Sequence, residues 1–194
     1  MGAATTDLAF FCINLDRSRE RWSRIEAAFG GLGWPLHRVA ALDAETQPDA
    51  VLARRGLTVT HPPYGVGWNH LRARPHALVE EACFVSHLEA LQGFLDSGHT
   101  YGVILEDDAD PVADLAALLP RIVAAGDFDI VKLEGVARPG GRFAFFAADL
   151  GAHRLVHSLR PSSGAAAYLV TRDAARQLVD RAGSLTIPFD DYLW

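Results

Sequence analysis

The chain is poor in the residues that staple or ligate. It has only two cysteines, Cys12 and Cys83, and no CxxC spacing, which argues against a zinc site. Both cysteines sit between apolar neighbours and read as small core residues. That usage fits a reducing compartment, and so a cytoplasmic protein, at most peripheral at the inner face of a membrane. Basic charge is also short. The 18 Lys and Arg are outnumbered by 24 Asp and Glu, for a net charge of −6, which excludes a general nucleic-acid binder while leaving room for a local cationic pocket. No apolar run reaches the length needed to span a bilayer, and the first residues lack the basic-then-apolar order of a secretory leader. Internal repeats and low-complexity tracts are missing too.

What is present is the material of one α/β domain. The 194 residues suit a single domain, 1–194, able to bury a core without disulfides. "LAFFCINL", residues 8–15, is an apolar run of strand length and predicts a fully buried, parallel strand. In "DRSRERWSRIEAAFG" the spacing of Trp22, Ile25 and Phe29 predicts a helix that Gly30-Gly31 can end. Strand, loop, helix is the opening of an α/β unit. "WPLHRVAALD" predicts a second strand with Asp43 at its exit. Residues 44–76 carry little periodic signal, and "HPPYGVGWNH" within them predicts a loop. From Ala82 to Ser97 the pattern is helical, with Phe84, His87, Leu88, Leu91 and Leu95 on one face.

Further on, "YGVILE" predicts a strand, and "VADLAALLPRIVAAG" a helix kinked or broken at Pro120. "FDIVKLEG" predicts another strand, in which Lys132 is expected to face solvent. "RPGGRFAFF" and "HRLVHSL" predict a hairpin or two extended segments, with Gly140-Gly141 at a turn. "AAAYLV" predicts a strand, and "TRDAARQLVDRAG" a helix with Thr171 as N-cap and Gly183 just past its end. The chain stops on "SLTIPFDDYLW", apolar and without a polar tail, as expected of a domain that continues into a C-terminal extension.

The chemistry concentrates in "YGVILEDDADP", residues 101–111, where a buried segment meets four carboxylates. Ligands of α/β sheets bind beyond the carboxyl ends of strands, and like charges this close are tolerated when a cation sits among them. In an extended chain Glu106, Asp108 and Asp110 would face one way and Asp107 the other. Hard oxygen donors of this kind suit Mg2+ or Mn2+, which take one or two carboxylates together with waters and substrate phosphates. A solvated acidic turn is the plain alternative.

Several pieces in order resemble glycosyltransferase family 25, the bacterial lipopolysaccharide and lipooligosaccharide sugar transferases. "FCINLDRSRERW" looks like the family's opening strand and arginine-bearing loop, "CFVSHLEAL" its Cys-x-x-Ser-His helix, and "VILEDDA" its acidic motif. "FDIVKL", "AAYLVTRDAARQL" and "IPFDDYL" follow the later pattern. Each piece is weak alone, whereas six in the right order span almost the whole chain. The family's glycine ahead of the Cys-x-x-Ser-His helix is missing, since "LVEEAC" stands there.

The resemblance implies a GT-A-like, Rossmann-like fold with a mixed central sheet. It implies inverting transfer of a sugar, commonly galactose, from a uridine diphosphate (UDP) donor to a glycan or glycolipid hydroxyl, with a divalent metal, Mn2+ or Mg2+. In this chain the donor would meet Asn14, Arg17, Arg21, Ser86, His87, Glu106 and Asp107. The metal would meet Glu106, Asp108 and Asp110, and the base would be Asp190 or Asp191. The plain readings are helix charges for Arg21, a satisfied core histidine for His87, and an N-cap for a helix from Tyr192 in the case of the Asp pair. Two rival functions remain. Asp108-Ala109-Asp110-Pro111-Val112 loosely fits the nucleophile loop of haloacid-dehalogenase-like, Mg-dependent phosphatases, with Lys132 and Asp190-Asp191 as later motifs. That reading leaves the first hundred residues unexplained. The other rival is a nucleotide-sugar-binding domain without turnover.

Overall fold

The computed structural model describes residues 6–55, 78–134, 144–158, 164–183 and 188–193. The order of elements is β1 (Leu8–Asn14), α1 (Arg19–Phe29), β2 (Leu36–Ala40), α2 (Pro48–Arg55), α3 (Leu78–Ser97), β3 (Tyr101–Glu106), α4 (Leu115–Ala125), β4 (Ile130–Lys132), β5 (Ala144–Asp149), β6 (Arg154–Ser158), β7 (Ala167–Thr171), α5 (Arg172–Arg181) and α6 (Phe189–Tyr192).

Five strands form the main sheet in the order β2-β1-β3-β7-β4. β1 lies parallel to β2 on one side and to β3 on the other, while β7 is antiparallel to both β3 and β4. This is the mixed, GT-A-like and Rossmann-like sheet expected. All seven residues of β1 are buried, as a central parallel strand covered on both faces requires. Its alternation feeds two cores. Ala9, Phe11 and Ile13 pack with Phe84, Leu91, Phe94, Ile104 and Tyr168 on the face carrying α3 and α5. Leu8, Phe10 and Cys12 pack with Ile25, Phe29, Leu105, Leu119 and Ile122 on the face carrying α1 and α4.

The approach of α3 to the sheet is set by one glycine. A Cβ on Gly102 of β3 would meet the Phe94 ring at 2.7 Å, so a larger residue would push helix and strand apart. The far end of α3 is held by Arg172, whose Nη2 donates to the Leu95 carbonyl at 2.6 Å and whose Nη1 donates to that of His99 at 3.0 Å, a cation on orphan carbonyls at a helix C-terminus. Thr171 caps α5 by accepting from the Ala174 amide, as its position predicted.

The structure departs from several expectations. Pro120 does not end α4, which runs through it. The missing N–H costs one hydrogen bond in a helix whose Leu119 and Ile122 are buried. Part of the weakly patterned 44–76 region is helical, as α2. "HPPYGVGWNH" and Gly140-Gly141 lie outside the described residues. The two extended segments do pair, as a β5–β6 ribbon, turning at Leu150–His153, where Gly151 has φ +87°. Lys132 does not face solvent. Its Nζ donates to the Gly164 carbonyl at 2.7 Å and pairs with Glu134 at 3.4 Å, because β4 runs antiparallel to β7 and its end lies beside the start of that strand. No described helix is long and apolar enough to cross a membrane.

Candidate functional site

β1 and β3 are parallel neighbours, so their carboxyl ends open on the same edge of the sheet. Asn14, the last residue of β1, is buried and acts as a hub. Its Nδ2 donates to Asp107 Oδ2 at 2.7 Å and to the Ser18 carbonyl at 3.1 Å, and its Oδ1 accepts from Arg38 Nε at 2.8 Å. Arg38 comes from the neighbouring β2 and also reaches Asp16 at 2.7 Å. Arg21, in the first turns of α1, donates to the other oxygen of Asp107 at 2.9 Å. Both Asp107 oxygens are therefore occupied, and its side chain is only 10% exposed.

Glu106 turns the opposite way, toward α3. Its Oε1 lies 3.1 Å from His87 Nε2 and 4.0 Å from Cys83 Sγ. The hydrogen bond from His87 holds its carboxyl below the usual range despite partial burial. An ionised carboxylate only accepts, so Nε2 carries a proton toward it, and Nδ1 is hydrogen-bonded to the Tyr168 hydroxyl at 3.2 Å. Tyr168 is fully buried, and burial raises its hydroxyl well above the ordinary tyrosine value. The His87 ring is stacked on Phe189 of α6, with centroids 4.1 Å apart and planes within 3°. His87 is thus satisfied and buried, and one edge of it still lines the open pocket.

That pocket has a volume of about 260 Å3. Its walls come from the β1 exit (Ile13, Leu15, Arg17), the segment after β2 (Ala41 to Glu45), α3 (Val79, Ala82, Cys83, Ser86, His87) and the end of β3 (Glu106, Asp107). Ser86 Oγ donates to the Ala82 carbonyl at 2.7 Å and accepts from the Leu42 amide at 3.0 Å, tying α3 to the β2 exit. Arg17 is held between Asp43 at 3.2 Å and Glu45 at 2.7 Å, yet stays 55% exposed. Cys83 is not the core residue expected. It is exposed on the pocket wall, although surrounding protein and the Glu106 charge push its thiol up to about 12. Its sequence neighbours are apolar, but its helix face is the one that turns to the pocket.

The acidic motif does not continue as a strand. The register with β1 ends at Ile13–Glu106 and that with β7 at Leu105–Ala167. The Ala109 amide then donates to the Glu106 carbonyl at 3.1 Å, closing a turn. The alternation expected for Asp108 and Asp110 is lost, and both are exposed. A hard cation needs oxygen donors with room for water and phosphate. Asp108 and Asp110 are exposed but do not line the pocket, Glu106 shares its carboxylate with His87, and both oxygens of Asp107 accept hydrogen bonds. Among the described residues, three possible ligand atoms lie within 4.8 Å of one another at Cys83, His87 and Glu106.

Asp190 and Asp191 lie in the four-residue α6, whose N-cap is Pro188, one turn earlier than a helix from Tyr192 would start. Asp190 Oδ2 accepts from the Gly164 amide at 2.9 Å, so it braces the loop that Lys132 also holds. Neither aspartate lines the pocket. Arg38, Tyr168 and Glu45 were not picked out in the sequence, whereas Asp43 was placed at the exit of the second strand. A charged residue inside the short β2 was the only local sign of Arg38.

Helices on both faces of a mixed sheet, with a pocket beyond the ends of two parallel strands, define an α/β protein of the ligand-binding, GT-A-like class. The profile of glycosyltransferase family 25, described as LPS biosynthesis protein, matches residues 7–119, more than half of the chain and most of the pocket. The chain belongs to glycosyltransferase family 25. It is also 29% identical over 187 residues to a protein of Neisseria gonorrhoeae named lacto-N-neotetraose biosynthesis glycosyltransferase LgtB, with 87% of this chain and 59% of that protein covered. The chain therefore spans about 59% of the length of this curated relative. The match from residue 7 accounts for the region that a phosphatase reading leaves unexplained, and that reading is set aside.

Proposed function

We propose that this chain transfers a sugar, galactose first among candidates, from a UDP-sugar to a hydroxyl of a lipopolysaccharide or lipooligosaccharide glycan, with inversion. It would act in the cytoplasm, at the inner face of the membrane where such acceptors are exposed. The observation that carries the reading is the pocket at the shared carboxyl edge of β1 and β3, which Arg17 lines together with the carboxylates Asp43, Glu45, Glu106 and Asp107. The family description and the relative's name support the class of acceptor.

In this reading Arg17 and Arg21 meet the diphosphate, and Asn14 and Asp107 position Arg21 rather than touch the donor. Ser86 and His87 shape the wall beside the sugar. Asp108, with Glu106 and Asp110 next, holds Mn2+ or Mg2+. A bound divalent ion would neutralise charge on the departing diphosphate. Inversion needs a carboxylate on the acceptor side to take the hydroxyl proton. Asp190 or Asp191 is assigned that role.

The test is transfer and donor hydrolysis with UDP-galactose and other UDP-sugars, with Mn2+ and with chelator, alongside calorimetric binding of UDP. Metal-dependent turnover that Asp108→Asn abolishes, with the circular dichroism spectrum unchanged, is the expected result. Tight UDP binding with no turnover would make the chain a donor-binding domain. Wild-type turnover in the variant would remove Asp108 from the metal site.

A further inference from the structure

The oxygen-rich turn and the pocket wall offer different chemistry. Cys83 and His87 are four residues apart on α3, so their side chains share one helix face. Glu106 meets them from the end of β3. Its Oε1 is 3.1 Å from His87 Nε2 and 4.0 Å from Cys83 Sγ, and the three donor atoms all lie within 4.8 Å of one another. Zinc–ligand bonds of about 2.0–2.3 Å in a tetrahedron place neighbouring donors roughly 3.3–3.8 Å apart. The observed separations bracket that range, so an ion could be seated by small side-chain adjustments without moving either backbone element.

We propose that Cys83, His87 and Glu106 form a binding site for a divalent cation of the zinc class, with its fourth position open to the pocket. The donor set is one thiolate, one imidazole and one carboxylate, which suits zinc or cobalt and not magnesium. All three residues line the pocket, so an ion has a path in and a free coordination position facing the cavity. The histidine already has its outer partner. With the metal on Nε2 the imidazole proton sits on Nδ1 and is donated to the Tyr168 oxygen, which lies 3.2 Å away and fixes the ring. The stacked Phe189 holds the ring plane from the other side.

The balance is simple. The Cys83 S–H bond breaks, a sulfur–metal bond forms, and the proton leaves to solvent. The metal-bound imidazole carries its proton on Nδ1, and Glu106 binds as a carboxylate. No electron is transferred. Binding should therefore release the Cys83 proton, so that affinity rises with pH.

The test is a Co2+ titration of the full chain after chelator treatment, followed by absorption, with Zn2+ and Mg2+ as competitors. The expected result is a single saturable site with a thiolate-to-cobalt charge-transfer band, displaced by Zn2+ and retained in excess Mg2+, which could compete for Glu106 alone of the three ligands. Cys83→Ser should remove the band and weaken binding by about tenfold or more, as loss of a ligand does. Cys12→Ser should keep it, because the Cys12 thiol is buried in the opposite core. No charge-transfer band in the wild type, a band that survives Cys83→Ser, or one that vanishes in a folded Cys12→Ser would each overturn the proposal. No sugar donor is involved, so the outcome is separate from that of the transfer assay.

Discussion

Tyr168→Phe tests the buried chain of contacts behind the pocket with the least disturbance of packing. The ring remains, with its neighbours His87 at 5.8 Å and Phe189 at 6.1 Å between centroids. Only the hydroxyl is lost, which leaves His87 Nδ1 without its partner inside a fully buried site. An orphaned buried polar group costs about 1–3 kcal/mol. Against that, phenylalanine no longer has a hydroxyl to desolvate, and the 3.2 Å bond is on the long side for a tyrosine hydroxyl. The net expectation is a loss of about 1–2 kcal/mol. For a chain of this size each kcal/mol moves Tm by about 2–4 °C, so thermal unfolding should fall by roughly 2–8 °C. Urea unfolding should show a lower midpoint with the same slope, since the surface exposed is unchanged. Combining Tyr168→Phe with Glu106→Gln in a double-mutant cycle should give a coupling of about 0.5 kcal/mol or more through the imidazole. A Tm shift under about 1 °C together with no coupling would mean that the hydrogen-bonded chain from Tyr168 through His87 to Glu106 does not contribute to stability.

Three further outcomes follow from the same geometry. Arg17→Ala should weaken UDP binding by about tenfold, because an exposed arginine loses one charged hydrogen bond to phosphate, and unchanged affinity in calorimetry moves the nucleotide elsewhere. One of Asp190→Asn and Asp191→Asn should lose transfer by about 10²–10⁴-fold while donor binding persists, and Asp190→Ala should lower Tm through the freed Gly164 amide. Normal transfer in both Asn variants makes the pair structural. Asp7 accepts from His99 at 2.7 Å and from the Thr100 amide at 2.9 Å and hydroxyl at 2.7 Å, and these bonds, that from His99 foremost, draw its carboxyl down to about 2. A depressed carboxylate stabilises the fold above its ordinary range and loses that contribution as pH falls toward its folded value. Asp7→Asn should therefore be less stable than wild type at pH 6, and the gap should close between about pH 4 and pH 2. A gap that is constant with pH contradicts the assignment.

The elements legible from residue order alone were those whose pattern matched their burial. β1 is apolar at every position and buried at every position. α3 and α5 carried clear helical spacing, and Thr171 announced the start of α5. What stayed hidden was convergence. Arg38, Tyr168 and Glu106 come from three different elements, and nothing near Arg38 in the sequence points to Asn14. Cys83 was misread because Ala82 and Phe84 are buried beside it in sequence, while a 100° rotation per residue puts the thiol on another side of the helix. The acidic turn was misread for a related reason. Strand alternation holds only as far as a ladder partner exists, and beyond Glu106 the described structure offers none.

The stacking of Phe189 on His87 has a bearing on when the pocket comes into being. The chain leaves the ribosome from its N-terminus, and the strands and helices that supply every lining residue of the pocket are made by Asp107. The partner of His87 Nδ1 and the ring that covers its face come much later, from β7 and α6. Until then His87 is a polar side chain on an uncovered apolar surface, and β3 has an unpaired edge where β7 will lie. The contacts that close this gap join residues far apart in sequence, the kind that form slowly and leave nascent chains open to mispairing. An interruption of synthesis before β7 would thus yield a chain that has its pocket walls and holds its histidine through Glu106, without the Tyr168 and Phe189 contacts.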